Sequence, residues 1–120
     1  MGDRAKLQAL SDEYQSLQTQ LSELISARQK LESQQQENKG VQNEFKGLAE
    51  DATIYKLVGP VLLKQDTTEA KSTVDGRLEF IEKEIKRFEE NIKSMQDKSE
   101  SKKMEIMQIQ SQMQQAPASA

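Results

Sequence analysis

The stretch YKLVGPVLLKQD, residues 55–66, interrupts a chain that is otherwise rich in Leu, Gln, Glu and Lys. Two mainly aliphatic runs flank Gly59 and Pro60, and a two-residue loop with Gly first is typical of a type II′ turn. Pro fits the second loop position because that position needs a negative φ. The stretch therefore predicts a β-hairpin. A plain loop between two helices is the alternative, but such loops are usually short and polar.

The predicted hairpin carries more apolar side chains than two strands can bury by themselves. An isolated hairpin is marginally stable in water, and its unpaired edges invite other strands. We therefore expect the hairpins of several chains to pair edge to edge in a shared β-barrel or sheet. A local core under the helix ends, with Tyr55 or Leu57 packed on Leu48 and Val74, is the alternative. The predicted assembly residues are Ile54, Tyr55, Leu57, Val58, Gly59, Pro60, Val61, Leu62 and Leu63.

Before the hairpin, apolar residues recur at alternating steps of three and four, which is typical of a coiled-coil seam. The pattern passes over Arg28, weakens through QQQENKG at residues 34–40, and is predicted to resume at Val41, Phe45 and Leu48. Gly47 and the following AEDAT predict the helix end. The interrupting polar residues either fix the register of the helices or allow them to splay. The first part of the seam consists of Leu7, Leu10, Tyr14, Leu17, Leu21, Leu24 and Leu31.

After the hairpin, a second seam runs without a slip. Its register passes through Ser99 and Lys102, and Asp66 with Glu69 predicts the N-terminal cap of this helix. Gly76 is a local penalty in the helix interior that the sequence leaves unexplained. The apolar members of the seam are Val74, Leu78, Ile81, Ile85, Phe88, Ile92, Met95, Ile106, Ile109 and Met113.

Together these patterns predict a mostly α fold. A long antiparallel two-helix coiled coil is joined by a central β-hairpin, which assembles into an inter-subunit β-barrel platform. Each helix should extend roughly 65–70 Å at 1.5 Å per residue, with both chain termini at the far tip. The expected segments of this single domain are an N-terminal helix at 1–50, a hairpin module at 51–66, a C-terminal helix at 67–115 and a disordered tail at 116–120.

Composition argues against several functions. Charged residues make up 31% of the chain and hydrophobic residues 34%, and the net charge is −3. No basic run suits nucleic acid, and no apolar stretch approaches the ~20 residues needed to span a membrane. Because His, Cys and a Gly-rich phosphate loop are absent from the sequence, we expect no enzyme activity, no metal site and no cofactor.

The quoted stretch and the sequence that follows it resemble the β-type subunits of prefoldin, above all the group of the eukaryotic sixth subunit. The residues that carry the resemblance are YKLVGPVLLKQ, at 55–65, and EAKSTVDGRLEFIEKEIKRFE, at 69–89, and it extends over nearly the whole chain. It implies a cytoplasmic, ATP-independent chaperone subunit in a hexamer of two α-type and four β-type subunits. Non-native proteins, mainly actin and tubulin in eukaryotes, would be held at coiled-coil tips and passed to the cytosolic chaperonin.

The resemblance places client binding at the tips, near the chain termini. Most apolar residues there belong to the seam, so zipping the two helices together is the simpler interpretation for them. Met107 lies off the seam and is the best candidate for an exposed contact. The candidate client-binding residues are Leu7, Leu10, Tyr14, Ile106, Met107, Ile109 and Met113. The rival function is a structural coiled-coil adaptor or tether, which would form an extended dimer without β-structure.

Overall fold

The computed structural model describes residues 2–115, and the tail expected at 116–120 lies outside the described residues. The elements are α1 (Gly2–Lys46), β1 (Ile54–Val58), β2 (Val61–Gln65) and α2 (Thr67–Gln115). Two long helices on either side of a central hairpin are the predicted fold. The assignment of the segments to a single domain stays a prediction.

Packing divides the chain into two units. The hairpin unit is Arg28–Arg87, and the terminal unit joins Met1–Ala27 to Phe88–Ala120. Each unit therefore contains a part of both helices, and the hairpin belongs to the first of them.

The two strands form an antiparallel two-stranded sheet, in which Ile54 pairs with Gln65 at one end and Val58 with Val61 at the other. Gly59 has a φ of 59°, a left-handed conformation that residues with a Cβ rarely adopt. Because Pro60 follows with its fixed negative φ, the loop has the residue order that a type II′ turn requires. The predicted hairpin is therefore confirmed.

The helix boundaries at the hairpin follow local hydrogen bonding. The backbone N–H of Glu69 donates to Oδ1 of Asp66 over 3.0 Å, which is the predicted N-cap of α2. At the end of α1, the N–H of Gly47 donates to the carbonyl oxygens of Asn43 at 3.2 Å and Glu44 at 3.1 Å. Helix α1 thus ends at Lys46, a few residues before the expected boundary at residue 50.

In the hairpin unit, the buried side chains come from α2 alone: no residue of α1 is buried. Along α1 a line of mostly polar, half-buried residues faces this core, and it includes Arg28, which is ion-paired with Glu32. Unpaired polar groups are costly to bury, so the polar residues of α1 stay at the edge of the core. The buried core is therefore limited to a few side chains of α2. Its buried members are Ala70, Val74, Ile81 and Ile85.

The prediction that the first seam resumes at Val41 and Leu48 is wrong. Val41 is 38% exposed and Leu48 42% exposed, while Gln42 is half-buried and donates from Nε2 to Oδ1 of Asp75 over 2.8 Å. The seam keeps its heptad phase through Gln35, Asn38, Gln42 and Phe45. Val41 is one position off this phase and is turned by about 100° away from the seam, while Leu48 lies beyond the end of α1 at Lys46.

In the terminal unit, both helices contribute half-buried apolar side chains at the predicted heptad positions. Ser99 is buried and accepts a hydrogen bond from Nε2 of Gln18 over 2.5 Å. Lys102 pairs with Glu13, with 2.8 Å between Nζ and Oε2. The register of the second seam through Ser99 and Lys102 is therefore confirmed, and at these two positions polar contacts replace apolar packing.

Candidate functional site: two exposed apolar surfaces

The hairpin exposes its apolar side chains. Ile54 is half-buried, but Leu57 is 67% exposed and Leu62 63% exposed. Since Tyr55 is also largely exposed, the structure does not support the alternative in which Tyr55 or Leu57 packs into a local core. The other exposed apolar members are Val58, Val61 and Leu63, each about half exposed (49–51%).

Both faces of the hairpin carry exposed apolar groups. Side chains alternate along a strand, so Leu57 and its cross-strand partner Leu62 lie on one face, and Val58 and Val61 lie on the other. A sheet with one solvated face would alternate apolar with polar residues. No layer covers either face within residues 2–115, so burying this hairpin requires contacts on both sides.

The hairpin also offers two open strand edges, because β1 and β2 pair only with each other in the described part of the chain. The two-residue loop makes Val58 and Val61 a hydrogen-bonded pair, and such pairs alternate with non-bonded ones. The backbone groups of the non-bonded pairs, Tyr55 with Lys64 and Leu57 with Leu62, therefore point outward. A strand added at either edge would find these donors and acceptors unpaired.

The residues predicted for the tip all lie in the terminal unit, but only some of them are exposed. Met107 is 59% exposed, as its position off the seam suggests, and Met113 is 36% exposed. The candidates at seam positions are half-buried between the helices, as expected for residues that pack the two helices against each other. These half-buried candidates are Leu7, Leu10, Tyr14, Ile106 and Ile109.

The sequence interpretation missed Met104, which is 64% exposed and lies one helical turn before Met107. Its spacing from Met107 and its position between the seam residues Lys102 and Ile106 could have identified it. Together Met104 and Met107 form an exposed methionine pair on α2. Methionine is flexible and polarizable, so such a pair can contact apolar groups of many shapes.

Charged groups stand close to this methionine pair. The hydrogen bond and the charge of Glu13 raise the pKa of the Lys102 amine. Glu100 and Glu105 line a shallow groove beside Met104. The apolar contact available here is therefore small and bordered by charge, which favours weak binding of exposed apolar segments.

Neither a metal centre nor a membrane-spanning segment emerges in residues 2–115. This part of the chain contains no group of three His, Cys, Asp or Glu residues placed to hold a metal ion. None of its helices combines the length and the apolar character needed to cross a bilayer.

Comparison with known proteins assigns the family. Residues 8–113 match the family model described as prefoldin subunit. The chain belongs to the prefoldin family. It is 51% identical to prefoldin subunit 6 of Saccharomyces cerevisiae over 83% of this chain and 88% of the relative. Identity to human prefoldin subunit 6 is 42%, over 94% of this chain and 88% of the relative.

A solved prefoldin structure has the same fold. The prefoldin β subunit from Thermococcus strain KS-1 matches with a TM-score of 0.79 and 27% identity, over 93% of this chain and 95% of that chain. The β2 subunit from the same strain shares the fold at a TM-score of 0.64. The β-type prefoldin fold predicted from the sequence is therefore confirmed.

Proposed function

We propose that this chain is one subunit of a cytoplasmic, heterohexameric prefoldin that holds non-native proteins without ATP. Its partners would be two α-type and three further β-type prefoldin subunits. The observation that carries the proposal is the hairpin, whose aliphatic side chains are exposed on both faces and whose two edges are open. Such a surface suits assembly with other strands and has no evident use in an isolated chain.

Assembly through the hairpin combines two interactions. Neighbouring strands would pair with the outward backbone groups of Tyr55 and Leu57 on one edge and of Leu62 and Lys64 on the other. A closed ring of strands leaves no edge unpaired, and it buries the aliphatic groups on at least one face. Because both faces carry exposed aliphatic groups, those on the face left outside such a ring would need a further contact within the assembly.

Client binding would use weak contacts at the terminal unit. The exposed methionines Met104 and Met107 offer a small, adaptable apolar surface, and Met113 adds to it further along α2. Each contact is weak, but joining several subunits through one platform raises the effective concentration of the remaining sites. Non-native actin and tubulin would be held in this way and passed to the cytosolic chaperonin, whose competing surface takes over the client without chemistry.

The assembly role is tested by replacing Val58 and Val61 with Asp and mixing the chain with its partner subunits. A carboxylate buried without a partner strongly opposes assembly, so no heterohexamer should appear by native mass spectrometry. The helical circular dichroism of the isolated chain should be retained. Ile25→Asp is the matched control, because Ile25 is an exposed aliphatic residue, 39% accessible, in the terminal unit. Normal assembly of the Val58 and Val61 variant would contradict the proposal.

The client role is tested separately with the double variant Met104→Gln, Met107→Gln. Gln is a good helix former, so the helix should persist while the apolar contact is lost. The hexamer should form normally, and its suppression of the aggregation of denatured actin, followed by light scattering, should fall. Lys103→Gln introduces the same residue between the two methionines and serves as the control. Unchanged suppression by the double variant would move the client site elsewhere, for example to the half-buried seam residues.

The same experiments distinguish the rival function. A structural tether would form a stable elongated homodimer in solution scattering and would recruit no partner prefoldin subunits. A discrete heterohexamer that suppresses aggregation supports the chaperone function instead.

A further inference from the structure

One side of the hairpin unit carries exposed apolar groups that neither the hairpin nor the seam uses. Phe80 is 63% exposed, and Val41 is 38% exposed. Val41 directly precedes the seam residue Gln42, and Phe80 directly precedes the buried Ile81. One residue turns a helix by about 100°, so each side chain lies on the flank that precedes its seam. Because the helices run antiparallel, these two flanks face the same side of the pair.

The opposite side of this unit is polar. Asp75, which follows the buried Val74, turns to the other flank and accepts the hydrogen bond of Gln42 there. Lys71 follows the buried Ala70 in the same way and lines a small groove with Asp75. Apart from Leu48, which follows the end of α1, the large exposed apolar side chains of this unit outside the hairpin lie on one side. We call it the Phe80 side; it comprises Val41, Phe80 and, on the adjoining outer face of α2, Gly76.

Gly76 lies two residues from both seam residues Val74 and Leu78, so it is on the outer face of α2, which adjoins Phe80 about one turn further along. A Cβ added at Gly76 would meet nothing within 4 Å, so no contact within the chain requires glycine here. Glycine in a helix interior is nevertheless unfavourable. A bare backbone beside a protruding aromatic ring is a surface that another backbone can approach closely, with the ring packed against it.

The size of the Phe80 side indicates what kind of partner occupies it. A stable protein interface buries about 1,200–2,000 Å² in total, far more than a few separated side chains provide. A partner at this surface must therefore be held mainly elsewhere. The hairpin lies in the same unit, and Phe80 is about 20 Å along α2 from its first residue, Thr67. A β-type subunit joined at the hairpin would bring two helices of its own, because the prefoldin β subunit from Thermococcus strain KS-1 has the same helix–hairpin–helix fold.

We propose that the Phe80 side packs against a helix of the neighbouring prefoldin subunit, next to the paired hairpins. The proposal rests on the proposed assembly through the hairpin and adds a second contact to it. Phe80 supplies the apolar group, and Gly76 gives the neighbouring helix room to approach. The second contact would fix the angle at which adjacent helix pairs leave the platform.

The test uses complete heterohexamers that contain Phe80→Glu or Gly76→Arg. Subunit exchange with isotope-labelled wild-type chain, followed by native mass spectrometry, should be about tenfold faster for each variant. The mass of the complex should not change, since the hairpins still pair. Ile25→Glu is the control, because it places the same charge at an exposed aliphatic position in the terminal unit and should exchange like the wild type.

Gly76→Arg separates this contact from a folding defect. Arg is a better helix former than Gly, so the isolated variant should melt at a higher temperature while its complex exchanges faster. Wild-type exchange rates in both variants would overturn the proposal. It would also be overturned if Phe80→Glu reduced the holding of denatured actin at an unchanged exchange rate, since that result assigns the surface to clients. Failure of the wild-type chain to form any heterohexamer would refute assembly itself, and this contact with it.

Discussion

Replacing Leu57 by Ala separates the burial that the chain achieves by itself from the burial that assembly adds. Complete burial of a leucine side chain contributes about 1.5–3 kcal/mol relative to full exposure. Leu57 is 67% exposed, so only about a third of this is realised in the isolated chain. Leu57→Ala should therefore lower the free energy of unfolding of the isolated chain by about 0.5–1 kcal/mol.

The remaining two thirds of the Leu57 surface becomes available when a neighbouring hairpin covers it. This corresponds to about 1–2 kcal/mol, and the assembly constant should fall by about 5–30-fold. Ile81→Ala provides the opposite case. Ile81 is 4% exposed inside the hairpin unit, so its truncation should lower the free energy of unfolding of the isolated chain by about 2–5 kcal/mol.

Two measurements on the wild type, Leu57→Ala and Ile81→Ala separate the stability of the isolated chain from the strength of assembly. Urea unfolding followed by circular dichroism gives the free energy of unfolding of each isolated chain. Sedimentation velocity of each chain titrated with its partner subunits gives the assembly constant. Burial of Leu57 by assembly is refuted if Leu57→Ala destabilises the isolated chain as much as Ile81→Ala does, or if Leu57→Ala leaves the assembly constant unchanged.

Substitutions at three further positions test individual contacts in the isolated chain. Asp66→Ala removes the cap of α2 and should lower its free energy of unfolding by about 1 kcal/mol in urea, whereas Asp66→Asn, which keeps the acceptor oxygen, should have little effect. Gly76→Ala should raise that free energy by up to about 1 kcal/mol, and a loss of stability would reveal a close contact at this position. The ion pair of Lys102 with Glu13 raises the pKa of Lys102, so its stabilisation is fully present below the ordinary value of 10.5 and is lost as the pH rises through the raised pKa. Lys102→Met should abolish this pH dependence of the melting temperature, and a wild-type profile in that variant would assign the dependence to another group.

Local sequence rules were sufficient for the hairpin and the start of α2. Gly59 and Pro60 specify a loop geometry that few other residue pairs allow, and the structure shows the positive φ that the turn requires. Asp66 supplies a capping oxygen directly after β2, three residues before the N–H of Glu69 that it accepts. In both cases the deciding interaction lies within a few residues, so the sequence pattern contains all of it.

The first seam was harder to predict, because apolarity and heptad phase disagree there. Val41 and Leu48 are apolar and follow a polar stretch, which made them the obvious continuation of the seam. The structure keeps the heptad phase set by Leu31 and places Gln42 inward. The side-chain amide of Gln42 donates a hydrogen bond to the carboxylate of Asp75 on the other helix. A hydrogen bond between residues so far apart in the sequence leaves no periodic signal.

The exposure of Phe80 and Met104 could not be predicted from hydrophobicity alone. Both are large apolar residues beside seam positions, and a composition argument would bury them. Only the phase of α2, fixed by Ile81 and its neighbours, turns them outward. At the tip, by contrast, the phase correctly separates exposed Met107 from half-buried Ile106 and Ile109.

The unequal contribution of the two helices to the core of the hairpin unit has a consequence during synthesis. Between residues 28 and 42, α1 presents mainly Arg, Gln and Asn where α2 presents Val, Leu and Ile. As residues 28–42 leave the ribosome, they expose few apolar side chains to other chains, unlike the leucine seam that precedes them. The part of α2 that carries the buried core residues emerges only after the hairpin, when α1 of the same chain is already available to pair with it. The apolar core residues of this unit are therefore exposed on the nascent chain only after their partner helix has been synthesised.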